Sequence, residues 1–343
     1  MKPFRLSFIG FGNVGQALAR LLLAKQNDLL TQHHISFCVT GIATNRHGKA
    51  INPDGIDLNK ALALMENHQS LAGLASVATP DNFIDFIKAC PADVLFENSP
   101  VNHQTGQPAV SHIRAGLENN QHCITANKGT VVHGYRQLTD LALRKGKRFL
   151  FESTVMDGAP IFSLFRASLP SANIQQFEGI LNSTTNMILE KMEQGLSFEE
   201  AVDYTQSIGL AETDPTADVD GWDAAIKVAA LVTVLLSQPM LPQDVRREGI
   251  SGISPEMITR AVADGKRWKL VCRAFKENDR WCGTVKPELV SSSSVLYNIN
   301  GSSSYCEFKT DTLPGLGVVE GNPGPQTTAY GLLSDFINLT RGI

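Results

Sequence analysis

Ionisable side chains crowd the stretch between Gly209 and Lys227. Five carboxylates precede the lysine, and an apolar segment follows it from Val228 to Leu236; the carboxylates are Glu212, Asp214, Asp218, Asp220 and Asp223. If the apolar segment is a helix, Asp220, Asp223 and Lys227 lie on one face of it. Such carboxylates can hold a reactive ammonium at the polar end of a buried helix. An acidic loop that leads into an ordinary core helix has the same pattern, so this stretch alone leaves both interpretations open.

A glycine motif near the N-terminus predicts a dinucleotide site. The apolar strand Arg5–Ile9 runs into Gly10-Phe11-Gly12-Asn13-Val14-Gly15, and an amphipathic helix follows. A G-x-G-x-x-G motif between a strand and a helix is the context that pyrophosphate binding requires. Gly10 makes the tight turn, Gly12 lets the pyrophosphate approach, and Gly15 lets the helix pack on the strand. We therefore predict that residues 10 to 15 contact the cofactor at the helix N-terminus.

The end of the second predicted strand, residues 34–44, bears on the choice of cofactor. Sites that prefer NAD usually place an Asp or Glu there for the ribose hydroxyls. This chain has Thr44, Asn45 and Arg46 instead, with Lys49 close behind. A cation without a carboxylate suits a 2′-phosphate, so we predict NADP with Arg46 as its ligand. NAD remains the alternative, in which Arg46 and Lys49 are solvated loop charges.

Strands and helices alternate through the rest of the first half, which predicts an α/β fold with a Rossmann-type, doubly wound parallel sheet. Ligands collect at the carboxyl ends of such strands. Two polar turns, residues 97–100 and 126–129, follow strands there. We predict cofactor contacts from Asn98, Ser99 and Lys128, although a lysine in a turn can also be merely solvated.

The second half lacks this strict alternation and predicts an α+β domain with a largely antiparallel sheet. Hairpins are predicted for residues 268–285 and 295–308, and Ser197 with Glu200 predicts a capping box. The Gly/Pro loop at Gly321 opens a final helix. If this helix returns to the first domain, Gly321 and the backbone amides before the helix are a second set of predicted cofactor contacts. The predicted domains are residues 1–155, completed by the C-terminal helix in 310–343, and residues 156–309.

Composition excludes several classes of partner. The net charge of −4 gives no basic excess for nucleic acid, and the longest apolar runs are about half of a membrane span. The N-terminus lacks a signal-peptide pattern. The six cysteines are scattered without metal-site spacing, which indicates a reducing compartment. We expect a cytoplasmic protein that binds a small-molecule substrate and neither nucleic acid nor membrane.

Together these motifs resemble the homoserine dehydrogenase family. The residues that carry the resemblance are the glycine motif, Thr125–Lys128, Glu152–Val155, Gly179–Asn186, Glu212–Lys227 and the final Gly/Pro loop. The resemblance implies reversible NAD(P)H-dependent reduction of L-aspartate 4-semialdehyde to L-homoserine, in threonine and methionine biosynthesis. It also implies a homodimer, in which the α+β domain serves substrate binding and dimerisation.

The resemblance assigns roles to individual residues. Lys227 matches the general acid/base, Lys128 a second lysine near nicotinamide and substrate, and Asp223 the residue that orients Lys227. Glu212 matches the ligand of the substrate's amino group; Asn182, Ser183, Thr184 and Asp218 complete the predicted substrate site. A sodium or potassium site is implied at Glu152 and the backbone oxygens of Val155, Asp157 and Ala159. The chemistry agrees, because an ammonium stabilises the alkoxide that forms when hydride reaches an aldehyde.

Three departures from the family pattern keep alternatives open. Met156 replaces a usual glycine, and Ala217 replaces a common carboxylate. The chain also has no room for the regulatory domain of longer relatives, so we expect no threonine inhibition through such a domain. The alternatives are the same fold acting on another amino-acid semialdehyde, and a non-catalytic NAD(P)-sensing protein.

Overall fold

The first half of the chain forms a six-stranded sheet. The computed structural model describes residues 2–342. The strands are Phe4–Ile9 (β1), Phe37–Ala43 (β2), Lys49–Ile51 (β3), Val94–Glu97 (β4), His122–Thr125 (β5) and Phe149–Leu150 (β6). Their order is β3-β2-β1-β4-β5-β6, and all are parallel except β3, which returns antiparallel to β2. This order confirms the predicted Rossmann-type sheet.

Helices lie between these strands and after the last of them. They are Asn13–Ala24 (α1), Gln26–His33 (α2), Leu58–Glu66 (α3), Phe83–Ala89 (α4), Ala109–Glu118 (α5), Lys128–Arg144 (α6) and Ile161–Ser163 (α7). Short 3-10 turns lie at Leu71–Leu74 and Glu152–Thr154. Apolar side chains of β1 and α1, such as Phe8 and Leu18, are fully buried in one cluster. Burial on both faces explains why these strands are almost continuously apolar.

The second half forms another six-stranded sheet, in the order β12-β11-β7-β9-β10-β8. Its strands are Ile174–Ile180 (β7), Arg246–Arg247 (β8), Lys266–Glu277 (β9), Arg280–Ser291 (β10), Ser304–Thr310 (β11) and Leu316–Glu320 (β12). The pairs are antiparallel apart from β8 with β10. The helices are Ser183–Glu193 (α8), Phe198–Ser207 (α9), Thr216–Val219 (α10), Trp222–Leu235 (α11) and Pro255–Ala263 (α12). A π-helical segment lies at Leu164–Ser168, and 3-10 turns lie at Pro242–Asp244 and Val295–Asn298.

One predicted hairpin is confirmed and the other is wrong. β9 and β10 pair along their length around Asn278 and Asp279, whose φ angles of +50° and +61° suit a tight hairpin turn. The predicted strand at 295–299 is instead a 3-10 turn, because the Ser294 side chain caps it and Leu296 is buried. β11 pairs with β7 and β12, so both of its edges are filled. The capping box of Ser197 and Glu200 is confirmed.

The chain packs as two compact units. One comprises the chain up to Ser163 together with the chain from Gly324 onward, and the other is Leu164–Pro323. These boundaries differ from the predicted ones at residues 155 and 310, since β12 pairs within the second sheet. The last helix, Pro325–Arg341 (α13), belongs to the first unit, where its Phe336 ring packs edge-on against Phe4 at 5.5 Å. Within residues 2–342 no helix has the length and apolar character of a membrane span.

Candidate functional site

The glycine turn between β1 and α1 leaves open space at one position. Gly10 has a φ of +86°, and a Cβ there would lie 2.5 Å from the Asn98 carbonyl oxygen. A Cβ at Gly15 would lie 2.7 Å from the Gly10 carbonyl oxygen. A Cβ at Gly12 would meet no atom within 4 Å. The protein's own packing therefore requires Gly10 and Gly15, whereas the space at Gly12, before the α1 N-terminus, is available to a pyrophosphate.

The other predicted residues of this turn differ in what they can contribute. The Phe11 side chain is only 1% exposed and packs edge-on against Phe8, so only its backbone can face a ligand. Val14 packs against the core of the first unit. Asn13, the first residue of α1, is exposed. The side chain of Asn13 is thus the one among these three that is open to a cofactor.

A buried carboxylate organises the carboxyl end of β4. Glu97 is fully buried, and it accepts hydrogen bonds from the Ser99 backbone N–H at 3.3 Å and from the Ser99 hydroxyl. The Thr125 hydroxyl lies 3.3 Å from Glu97 Oε2, and His112 Nδ1 lies 3.2 Å from Oε1. The Ser99 hydroxyl therefore donates to the protein's own Glu97, and the cofactor contact from Ser99 stays a prediction. The sequence signal for this network was a glutamate that ends an apolar strand.

Asn98, in the same turn, has an unsatisfied amide. Its Nδ2 and Oδ1 atoms are both buried, and neither has a hydrogen-bond partner among residues 2–342. A buried polar group without a partner costs about 1–3 kcal/mol, so the site favours a ligand that supplies both a donor and an acceptor. The Asn127 amide donates to the Ser99 carbonyl oxygen at 2.9 Å and ties this turn to the one after β5.

Lys128 and Arg46 follow the carboxyl ends of two other strands of the first sheet, β5 and β2. Lys128, which was predicted to lie in a turn, is the first residue of α6, because the Asn127 side chain caps this helix by accepting from Gly129 N–H at 3.0 Å. Arg46 is exposed in the turn between β2 and β3. Lys49 is less available than Arg46, since its ammonium lies 4.8 Å from the centroid of the Phe83 ring.

The residues of the predicted cation site are only partly open. Glu152 is 3% exposed, and its two carboxylate oxygens accept from the N–H groups of Phe162 at 2.6 Å and Ser163 at 2.7 Å. The Asp157 carboxylate accepts from Gly324 N–H at 2.7 Å, and the Ala159 carbonyl accepts from Ile161 N–H at 2.9 Å. A carboxylate keeps further lone pairs, so the set still fits a hard cation that takes oxygen ligands. No cluster of three or more His, Cys, Asp and Glu side chains exists in the described part of the chain.

In the second unit, Lys227 is held from two sides. Its ammonium lies 3.0 Å from Asp223 Oδ2, one helical turn earlier on α11, and donates to the Leu181 carbonyl oxygen at 2.6 Å. Both side chains are largely buried. The prediction that Asp220 shares a helix face with Asp223 and Lys227 is wrong. Gly221, with a φ of +78°, separates Asp220 from the start of α11. Asp220 instead ends α10.

Asn182 brings a second carboxylate to this ammonium. Its amide nitrogen donates to Asp218 Oδ1 at 2.6 Å and to Asp223 Oδ2 at 3.0 Å. Burial, followed by the neighbouring Asp223 carboxylate, raises the pKa of Asp218, while the bond from Asn182 and the charge of Lys227 lower it. The site therefore holds two carboxylates, one amide and one ammonium in partly desolvated surroundings.

The remaining predicted substrate residues are placed differently. Thr184 is buried near Asp218, and Ser183, the first residue of α8, is half-buried. Glu212 is exposed, and its carboxylate has no hydrogen bond or ion pair within residues 2–342. Asp214 accepts from Thr216 N–H at 3.0 Å in the loop before α10, as the simpler interpretation of the acidic stretch expects. Gly321, which was predicted to contact the cofactor, lies in the second unit, and a Cβ there would meet no atom within 4 Å; its cofactor contact stays a prediction.

Comparison with known proteins gives consistent matches over nearly the whole chain. A family model for the NAD-binding domain of homoserine dehydrogenase matches residues 10–152, and the homoserine dehydrogenase model matches residues 160–337. The NAD(+)-dependent homoserine dehydrogenase of Pseudomonas canavaninivorans is 34% identical, over 99% of this chain and 97% of the relative. The homoserine dehydrogenase of Methanocaldococcus jannaschii is 37% identical, over 96% and 97%. The crystal structure of a homoserine dehydrogenase from Thiobacillus denitrificans has a TM-score of 0.84 at 27% identity and covers 99% of this chain and 74% of that one.

Proposed function

The chain belongs to the homoserine dehydrogenase family, a family of oxidoreductases in amino-acid biosynthesis, and from this premise we propose its reaction and the role of each residue. The reaction is the reversible reduction of L-aspartate 4-semialdehyde to L-homoserine, as a step toward threonine and methionine. The observation that carries the proposal is the Lys227 ammonium, held between Asp223 and the Leu181 carbonyl oxygen.

Lys227 is the general acid in the reductive direction. When bound, the nicotinamide supplies the hydride to the aldehyde carbon. Negative charge then develops on the aldehyde oxygen, where the Lys227 ammonium stabilises it and donates a proton. In the oxidative direction, neutral Lys227 takes the proton from the hydroxyl. Asp223 keeps the ammonium in place and favours its charged form.

The substrate keeps an α-ammonium group, and this group calls for a carboxylate. Glu212 is the proposed ligand, because its carboxylate is exposed and not engaged by the protein. Ser183 and Thr184 line the amino-acid pocket beside Asp218. The four groups would then distinguish an aminated aldehyde from a simple one.

The proposed cofactor is NADP. The support is an exposed Arg46 in the turn after β2, in a segment without a carboxylate from residue 44 to 49. NAD is the second candidate, since the Pseudomonas canavaninivorans relative is named for NAD(+) dependence. Gly12, Asn13, Asn98 and Lys128 are the proposed contacts for the parts that the two cofactors share.

A monovalent cation, sodium or potassium, is proposed at Glu152 with the backbone oxygens of Val155, Asp157 and Ala159. Support comes from the buried Glu152 carboxylate, which retains acceptor capacity. Met156 is buried, and its own carbonyl accepts from Ala159 N–H at 2.7 Å, so the methionine side chain does not remove a ligand.

We also propose a homodimer in the cytoplasm. On the second sheet, Arg273 pairs with Glu178 at 3.0 Å and with Glu288 at 2.5 Å, and all three side chains remain about one quarter exposed. Val319 on β12, the edge strand of the same sheet, is 61% exposed. This mixture of apolar and charged groups fits a self-complementary contact. The six cysteines are free thiols, which fits a reducing compartment.

The test is oxidation of NADPH by L-aspartate 4-semialdehyde, followed by absorbance at the nicotinamide band. The Lys227→Met variant is expected to lose about 10²–10⁴-fold in kcat while its NADPH affinity is kept. Lys60→Met, at an exposed lysine of α3, is the matched control and keeps full activity. Cofactor binding without turnover by the wild-type protein would refute the proposal and support a sensor instead.

A further inference from the structure

We infer that Asn182 is a positioning residue of the Lys227 site and does not bind the substrate. The inference rests on the proposed function and corrects the role predicted for Asn182 from the sequence. An asparagine side chain offers two N–H donors and two acceptor lone pairs. The donors go to Asp218 and Asp223, at 2.6 and 3.0 Å. The acceptor takes the N–H of Thr185 at 2.8 Å and its hydroxyl at 2.9 Å, so no capacity is left for a ligand.

The fold explains why asparagine stands at this position. Asn182 follows β7 and is the N-cap residue of α8, where its oxygen must accept from Thr185 N–H. Serine, threonine and aspartate also cap helices well. Asparagine alone among these residues caps the helix and also presents two further N–H donors. Those donors bind Asp218 and Asp223 of the acidic stretch, so asparagine at this position both caps the helix and binds the two carboxylates.

The amide holds together two carboxylates that repel each other. Asp218 Oδ1 and Asp223 Oδ2 both lie within bonding distance of a single nitrogen, and the latter oxygen also faces the Lys227 ammonium. The backbone carbonyl of Leu181, the preceding residue, contacts the same ammonium. Residues 181 and 182 therefore fix Lys227 directly through a carbonyl and indirectly through Asp223.

Loss of the amide is expected to change the titration of the site. The titratable groups that face Asp218 are Asp223 and Lys227 of α11, and α8 contributes the hydrogen-bonding groups of Asn182 and Thr184. Burial already raises the pKa of Asp218, and the Asn182 bond opposes that rise. Without this bond, Asp218 takes up its proton at a higher pH, and the charge opposite Lys227 falls.

The test compares Asn182→Ser with the wild-type protein. Serine keeps the cap but loses the paired donors, so we expect the melting temperature to fall by only a few degrees and kcat to fall by about 10- to 100-fold. KM for the semialdehyde should change less than kcat, and the acid limb of the kcat/KM profile should move to higher pH. Asn82→Ser is the matched control, because Asn82 caps α4 in the same way, at 2.8 Å from Ile84 N–H, without a carboxylate pair.

A rise in KM with unchanged kcat and an unchanged pH profile would mean that Asn182 is a substrate ligand, and would overturn the inference. A second readout does not need turnover. Carboxyl-carbon NMR of Asp218 should show a higher pKa in Asn182→Ser than in the wild-type protein. An equal pKa would refute the positioning role even if the protein proved to act on another substrate. Failure of the wild-type enzyme to oxidise NADPH would count against the proposed function alone.

Discussion

Replacing Gly12 by alanine separates cofactor binding from folding. The backbone of Gly12 is extended, with φ −78° and ψ −153°, and a Cβ there meets no atom within 4 Å. Alanine fits such a conformation and restricts the unfolded chain, which is worth about 0.4–1 kcal/mol. Gly12 is also the N-cap of α1, where alanine is worse than glycine by roughly 0.5 kcal/mol. The two effects oppose each other, so we expect the free energy of unfolding to change by less than about 1 kcal/mol.

The Gly12→Ala variant should instead lose affinity for the cofactor. A methyl group at residue 12 occupies the space through which a pyrophosphate approaches the α1 N-terminus. If it displaces one or two hydrogen bonds to the charged group, worth about 1.5–3 kcal/mol each, affinity falls by at least about 10-fold. NADPH and NADH should lose equally, because they share the pyrophosphate.

Fluorescence titration with each cofactor and urea unfolding measure the two quantities. Gly10→Ala is the contrasting variant, since a Cβ there clashes at 2.5 Å and the residue has a φ of +86°. That variant should lose stability as well as affinity. Unchanged cofactor affinity in Gly12→Ala would show that the pyrophosphate does not lie against this residue, and the interpretation of the glycine turn would fail.

Three further predictions concern charged groups. Burial lowers the pKa of Lys269 from 10.5 to about 8. Between these two pH values the unfolded chain binds more protons than the folded one. The unfolding free energy should therefore rise with pH over this range, by on the order of 3 kcal/mol. Urea unfolding across this range tests it, and an equal rise in Lys269→Met would contradict the assignment. In Glu97→Gln an amide replaces the carboxylate that accepts from several buried donors, so the unfolding free energy should fall by about 3 kcal/mol. An unchanged midpoint of urea unfolding would contradict this prediction. Arg46→Ala should weaken NADPH binding by roughly 10-fold or more and leave NADH nearly unchanged; equal titration curves for both cofactors would remove Arg46 from the 2′-phosphate site.

Local constraints made much of the fold predictable. The strand, glycine turn and helix of residues 4–24 are contiguous, and each glycine role follows from backbone geometry over a few residues. The hairpin of β9 and β10 is also local, since Asn278 and Asp279 turn the chain between adjacent strands. The failed hairpin at 295–308 depended instead on which distant strand β11 would pair with. No local pattern encodes that choice.

The candidate site divides in the same way. The sequence predicted that Asp223 and Lys227 share a helix face, because residues four apart on a helix are neighbours. Only the tertiary structure placed Asn182 and the Leu181 carbonyl against them, across more than 40 positions of sequence. A backbone carbonyl has no residue type that could reveal it. The saturated hydrogen bonds of Asn182, like the empty space at Gly12 and the unsatisfied amide of Asn98, are properties of packing, since they depend on which atoms from distant segments come within bonding distance.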